Sequence, residues 1–176
     1  MVKLGKYLAY ALFFVLALIY FMPKLSAYYL LESELQKFDV VISKENAVDN
    51  GFSLSVTDAT LSVKGVDSAT ISSVDISALI LSNTVMVKQI KLSSVASNFM
   101  PLNIDTVEIS YSIFNPLSVV AHAVGGFGEA DVIFDISASS IKADVKPSEL
   151  MFKNYKATLK NLKKSENGGY IYEQNI

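Results

Sequence analysis

Apolar and polar positions divide the chain into three regimes. From Tyr7 to Met22 the residues are apolar or aromatic without a break (YLAYALFFVLALIYFM), with Lys3 and Lys6 before them and Pro23 and Lys24 after. The seventeen residues between Lys6 and Lys24, at about 1.5 Å rise per residue, predict a helix near the short limit for crossing a bilayer. Snorkelling lysines and interfacial tyrosines extend its reach. The expected membrane-contacting residues are Tyr7, Tyr10, Phe13, Phe14, Leu16, Leu18, Tyr20 and Phe21.

The second regime, Leu25 to Phe38, has neither glycine nor proline and is rich in leucine and glutamate, which predicts a linker helix. Beyond it the period changes to two. Phe52, Leu54 and Val56 alternate with serines, and Ala59, Leu61 and Val63 alternate with Thr60, Ser62 and Lys64. The same rhythm returns from Val74 to Ala78, Val107 to Ile113, Val132 to Ala138 and Ile141 to Val145. Such segments are half-buried antiparallel strands with one dry and one wet face. The phase slips at Thr57-Asp58 and Lys88-Gln89, predicting tight turns or bulges. Turn signals stand at Asp49-Asn50-Gly51, Lys64-Gly65, Ser82-Asn83, Asn115-Pro116 and Gly125-Gly126. Residues 147–164 read as one amphipathic helix, with Met151, Tyr155, Leu159 and Leu162 on its apolar face and lysines beside them. Tyr170 to Tyr172 reads as a last short strand. The expected class is mainly β. A transmembrane helix (1–24) and a linker helix (25–38) precede a bent antiparallel sheet, groove or sandwich-like, that fills 39–176 with a helix near its end.

Charge then gives the anchor an orientation. Lys3, Lys6 and the amino terminus weight one side positively, whereas Glu32 and Glu34 follow on the other. The positive-inside rule puts the N-terminus in the cytoplasm and the remainder outside it. A cleaved signal peptide is the competing reading, but Leu25 is a poor residue three before a cut and the apolar core is long for one. Both readings export the rest of the chain. For a bacterial protein the expected location is the inner membrane, single-pass, with most of the chain periplasmic.

Composition mainly excludes. The chain has 176 residues, 51% of them hydrophobic and only 18% charged, with a net charge of −2 and no cysteine. Disulfides, thiolate metal sites and cysteine nucleophiles are therefore out. All fifteen basic residues are lysine, so nothing reads phosphates or base edges bidentately, and nucleic acid is not an expected partner. No cofactor or metal site is expected. The single histidine, His122, has no companion motif for a triad or a two-histidine site. Glu129 and Asp131 are at a commonplace spacing and read as a solvated pair. Gly125-Gly126-Phe127-Gly128 lacks dinucleotide and P-loop spacing and reads as a turn or kink. An exported hydrolase is disfavoured for want of a nucleophile–base pair. The lysine-flanked C-terminal helix reads as a cap on the sheet rather than as a lipid-binding helix.

What remains is the apolar sheet face, whose candidate residues are Leu61, Val63, Ile71, Val74, Ile76, Val85, Val87, Ile109 and Tyr111. Alternation does not say whether this face is a trough or a filled core. A trough would bind acyl chains or a partner's apolar segment.

Several stretches resemble a known family: Phe21-Met-Pro-Lys-Leu25, Tyr28-Tyr-Leu-Leu-Glu32, Phe38-Asp-Val-Val-Ile-Ser43, and the run from Asp58-Ala-Thr-Leu61 to Asn83-Thr-Val-Met-Val-Lys-Gln-Ile-Lys-Leu92. Over roughly residues 15–95 the layout is similar to that of inner-membrane protein N of type II secretion systems and the broader AsmA-like family. In length and layout it also resembles the single-pass lipopolysaccharide-export component of the inner membrane. The family resemblance implies a membrane-tethered, strongly bent sheet with an apolar concave face, serving secretion or envelope lipid traffic. The expected function is a non-enzymatic component of a type II secretion-like or related envelope transport system. Its candidate partners are the membrane, envelope transport proteins and lipid acyl chains. The alternative is a stand-alone lipid-binding or lipid-transfer module of the inner membrane.

Overall fold

A computed structural model of the chain describes residues 2–79, 81–165 and 168–175. The apolar run winds into helix α1 (Val2–Phe21), of which Leu4–Phe21 is long and apolar enough to cross a membrane. Pro23, which has no N–H and a fixed φ, interrupts the helix, and a second helix, α2 (Lys24–Gln36), starts directly after it.

From Val40 onward alternation gives strands: β1 (Val40–Ser43), β2 (Asn46–Asp49), β3 (Ser53–Val63), β4 (Val66–Ala78), β5 (Ser82–Leu92), β6 (Asn103–Ser112), β7 (Ser118–Gly125), β8 (Gly128–Asp135) and β9 (Ser140–Pro147). A short 3-10 helix, Ser94–Asn98, lies between β5 and β6. Two short helices, α3 (Glu149–Asn154) and α4 (Lys156–Lys160), lead to β10 (Lys163–Lys164) and β11 (Tyr170–Asn175). All eleven strands form one antiparallel sheet, in the order β1-β3-β4-β5-β6-β7-β8-β9-β11-β10, with β2 also on β3. The class is thus the expected one, mainly β with an apolar N-terminal helix.

The single helix expected over 147–164 is corrected to two. Pro147 ends β9, and Ser148 caps α3 by accepting from the Met151 N–H at 3.2 Å. At Tyr155 the backbone leaves helical geometry (φ −123°, ψ 33°), which turns its ring in among the residues packed around Phe127. Lys163 and Lys164 belong to a strand, paired with Ile171 and Tyr170. The expected face nonetheless holds, with Met151 and Leu159 buried and Tyr155 and Leu162 packed against them.

The two phase slips are not turns, because the strands run through them. Asp58 (φ +58°) and Gln89 (φ +54°) adopt left-handed backbone within β3 and β5. The break in alternation lets Val56 and Ala59 share a face, and likewise Val87 and Ile90, although each pair is three positions apart. On the edge, Lys44 (φ +66°) separates β1 from β2 beside the same point. In β6 the register slips at Asp105. These residues line up into a crease that crosses the sheet and ends before β7.

The register puts the β2–β3, β4–β5, β6–β7 and β8–β9 turns at one end of the strands and the β3–β4 and β7–β8 turns at the other. At the β7–β8 turn Gly128 has φ +114°, and a Cβ there would run into the Lys146 carbonyl, so only glycine fits. At the β8–β9 turn Asp135 accepts from the Ser137 hydroxyl at 2.6 Å and the Ala138 N–H at 2.9 Å, which holds its carboxyl below the usual range.

Helix α1 joins the sheet at the first of these ends. The Tyr20 ring meets Phe52 edge-on at 5.4 Å and occupies the space that a side chain on Gly51 (φ +82°) would need. The buried Lys24 ammonium lies 3.5 Å from Asp49 and donates to the Tyr20 and Met22 carbonyls that close α1. Along α1, Ile19 is the one buried side chain among those described, so the helix projects away from the sheet.

Candidate functional site

The register stacks apolar side chains into rows that cross the sheet. Leu54 lies opposite Ile76, Ile76 opposite Val85, and Val85 opposite Ile109. The row continues through Ala121 and Val132 to Ala143. One pleat away runs a second row, Val56, Val74, Val87, Val107, Ala123, Ala130 and Val145. On the other side of the first row, Tyr111, Val119, Phe134 and Ile141 form a third. The opposite face is wet. It carries Ser55 bonded to Asp75 at 2.8 Å, Lys88 at 3.8 Å from Asp75, His122 against Asp131 at 2.7 Å, and Lys146 at 3.8 Å from Glu129.

The apolar face is covered at its two ends. Helix α2 lays Tyr28 on Leu54, Val56 and Ala59, with Ile42, Ile71, Val74 and Ile76 packed around them. At the far corner, Met151 and Leu159 from α3 and α4 enclose Phe127 together with Ile104, Ala123, Ala130 and Tyr170. Between these caps Val85, Val87, Val107, Ile109, Ala121, Val132, Phe134 and Ile141 are only half-buried. A second layer would bury them as Leu54 is buried (2% exposed). Their partial shelter comes from neighbours in the same sheet.

At the α2 end a cleft of about 160 Å³, lined by Met22, Lys24, Ala27, Tyr28, Leu31, Leu54 and Ile76, joins the head of the first row to the foot of α1. The apolar lining therefore continues from the end of α1 onto the sheet. Its one polar group without a hydrogen-bond partner among the described residues is the Tyr28 hydroxyl.

The nine candidate residues sort into three sets on this face. Val85, Val87, Ile109 and Tyr111 lie on the uncovered part, whereas Ile71, Val74 and Ile76 pack against the Tyr28 cluster. Leu61 and Val63 lie beyond the crease, opposite Ile42 and Val40 of the edge strand β1. Sequence reasoning missed the far half of the trough, Val119, Ala121, Val132, Phe134, Ile141 and Ala143. Its signal was present from Val132 to Val145 as alternation, but Val119 to Val124 is apolar on both phases apart from His122. The eight residues expected to contact a membrane, from Tyr7 to Phe21, are all exposed along α1.

The polar candidates do not converge. Glu129 and Asp131 share the wet face but take different partners, Lys146 and His122. His122 and Asp131 are each about half exposed. Among the described residues no group of three or more His, Asp or Glu is placed to hold a metal ion. The Gly125–Gly128 segment is the β7–β8 hairpin turn. Comparison with known protein families, with curated proteins and with solved structures finds no match to this chain.

Proposed function

We propose that this chain is a non-enzymatic, single-pass protein of the bacterial inner membrane, with its N-terminus in the cytoplasm and its sheet in the periplasm. It serves a type II secretion-like or related envelope transport system by sheltering lipid or docking an apolar segment of a partner on its open face. The observation that carries this reading is the apolar face between the two caps, which continues across β5 to β9 with no layer of described residues over it. Four strand spacings from β5 to β9, at roughly 4.8 Å each, make it about 19 Å long. That exceeds the ~15 Å half-thickness of a bilayer core. Each methylene sheltered there gains about 0.8 kcal/mol. A stand-alone lipid-binding role is the second reading, and the cleft that links α1 to Leu54 and Ile76 favours it.

Photo-crosslinking of the full chain in its native membranes tests both. A benzophenone amino acid at Val85 or Ile109 is expected to capture phospholipid if the face shelters lipid, or a discrete protein band if it docks a partner. The same probe at Val120, exposed on the wet face, is the control. Capture at Val85 and Ile109 no greater than at Val120 refutes an occupied face.

A further inference from the structure

Turns in water are ordinarily polar, yet two hairpin tips of this sheet are not. The β4–β5 connection reads Leu79-Ile-Leu-Ser-Asn83 and the β6–β7 connection Ser112-Ile-Phe-Asn-Pro-Leu-Ser118, with no charged residue in either. Leu79, Leu81, Ile113, Phe114 and Leu117 are exposed, Phe114 to 80%. The tips are stitched side by side. The Ile113 N–H donates to the Leu81 carbonyl at 3.2 Å, and the Ser112 hydroxyl donates to the same oxygen at 3.4 Å. Together they form one ledge rather than two loose loops.

The place of this ledge matters more than its composition. The strand register puts it at the end of the sheet where the β2–β3 turn receives α1. There Tyr20 packs on Gly51 and Phe52, and Lys24 is neutralised by Asp49. Helix α1 leaves from that end and buries only Ile19 among its described side chains, so whatever bilayer it enters begins beside the ledge. At the other end Lys64 stands at β3–β4 and Lys146, Lys153 and Lys156 near β7–β8, while the uncharged β5–β6 connection, with Val95 and Phe99 exposed, lies away from the end that receives α1.

We propose that the β4–β5 and β6–β7 tips insert into the interfacial layer of the same bilayer that α1 crosses, giving the sheet a second, peripheral membrane contact. Apolar side chains flanked by serine and asparagine suit that layer. The contact opens the near edge of the apolar face, at Tyr111, toward the lipid. This inference rests on reading α1 as a membrane anchor.

The absence of native cysteine makes the test clean. Leu81→Cys, Phe114→Cys, Phe13→Cys in α1 and Val95→Cys at the far end each carry an environment-sensitive fluorophore. The full chain is reconstituted in phosphatidylethanolamine–phosphatidylglycerol vesicles. Labels at 81 and 114 are expected to be quenched by acyl-chain nitroxides as at 13, several-fold more than at 95, and to be protected from aqueous iodide. If 13 is lipid-quenched while 81 and 114 behave like 95, the ledge proposal fails and the anchor stands. Iodide quenching at 13 would overturn the anchor and the ledge with it. Labels at 81 and 114 shielded from both quenchers would mean that a second copy covers the ledge, which also overturns a bilayer contact.

Discussion

Tyr28 carries an unusual burden for one side chain. Its ring closes the small core over Leu54 and Val56, but its hydroxyl is buried without a hydrogen-bond partner among the described residues. Burial pushes its pKa from 10.0 to about 12, and the negative charges of Glu45 and Glu32 add to the rise. The neutral phenol is thus favoured in the fold. Its stabilisation is fully present below pH 10.0, where the unfolded chain titrates, and is lost as pH rises toward about 12. Tyr28→Phe removes the orphan hydroxyl and keeps the ring. It is expected to raise the unfolding free energy at neutral pH by about 1 kcal/mol and to flatten the alkaline loss. Urea titrations of both proteins at neutral pH and at roughly pH 11 check the two effects, and a Phe variant less stable than the parent refutes this account.

Among the elements, the crease is the part that the sequence most nearly announced. Alternation located the strands because serine and threonine fill the wet positions so regularly, and it located the slips at Asp58 and Gln89 as well. It did not reveal that the strand continues through each slip, since that depends on left-handed backbone which only pairing with neighbours sustains. Gln89→Val puts a β-branched residue at φ +54° and is expected to cost about 1–2 kcal/mol. Gln89→Gly should stay within about 1 kcal/mol of the parent, relief of strain offsetting the added chain entropy. Equilibrium denaturation of the two variants separates backbone strain from loss of the side chain. Other elements escaped the pattern for identifiable reasons. β1 and β2 are four residues each, and Val40-Val-Ile is apolar on both phases. The lysines of 156–164 fit a helix by spacing, but the pairing of Lys163 and Lys164 with β11 is a long-range contact invisible to a local period.

For the whole molecule, the sequence told which face of the sheet is apolar and was silent on what lies over it. Alternation records the side to which a residue points and is the same for a filled core and an open trough. The difference is readable only from burial, where Val56 is enclosed (2% exposed) and Val85 in the next row is not. An open face predicts an asymmetric response to polar substitution. Val85→Asn and Ile109→Asn should each cost less than about 1 kcal/mol, whereas Val56→Asn should cost about 3 kcal/mol or more by burying an unpaired amide. Thermal melts of the full chain in detergent compare them. Equal penalties at Val85 and Val56 would mean that the trough is closed.

The order in which the strands pair has a mechanical consequence. From β3 to β9 each strand bonds to the next in sequence, and the two enclosed cores sit at opposite ends of that succession. Such a body has no centre. Its strength is a chain of nearest-neighbour links, each worth its own pair of edges, as in a stack of repeats. Among the described residues the middle strands have no helix packed over them, so anything seated on the trough would also act as a splint across those links. Occupancy of this sheet should therefore stiffen it, and an empty molecule should be the more pliant one.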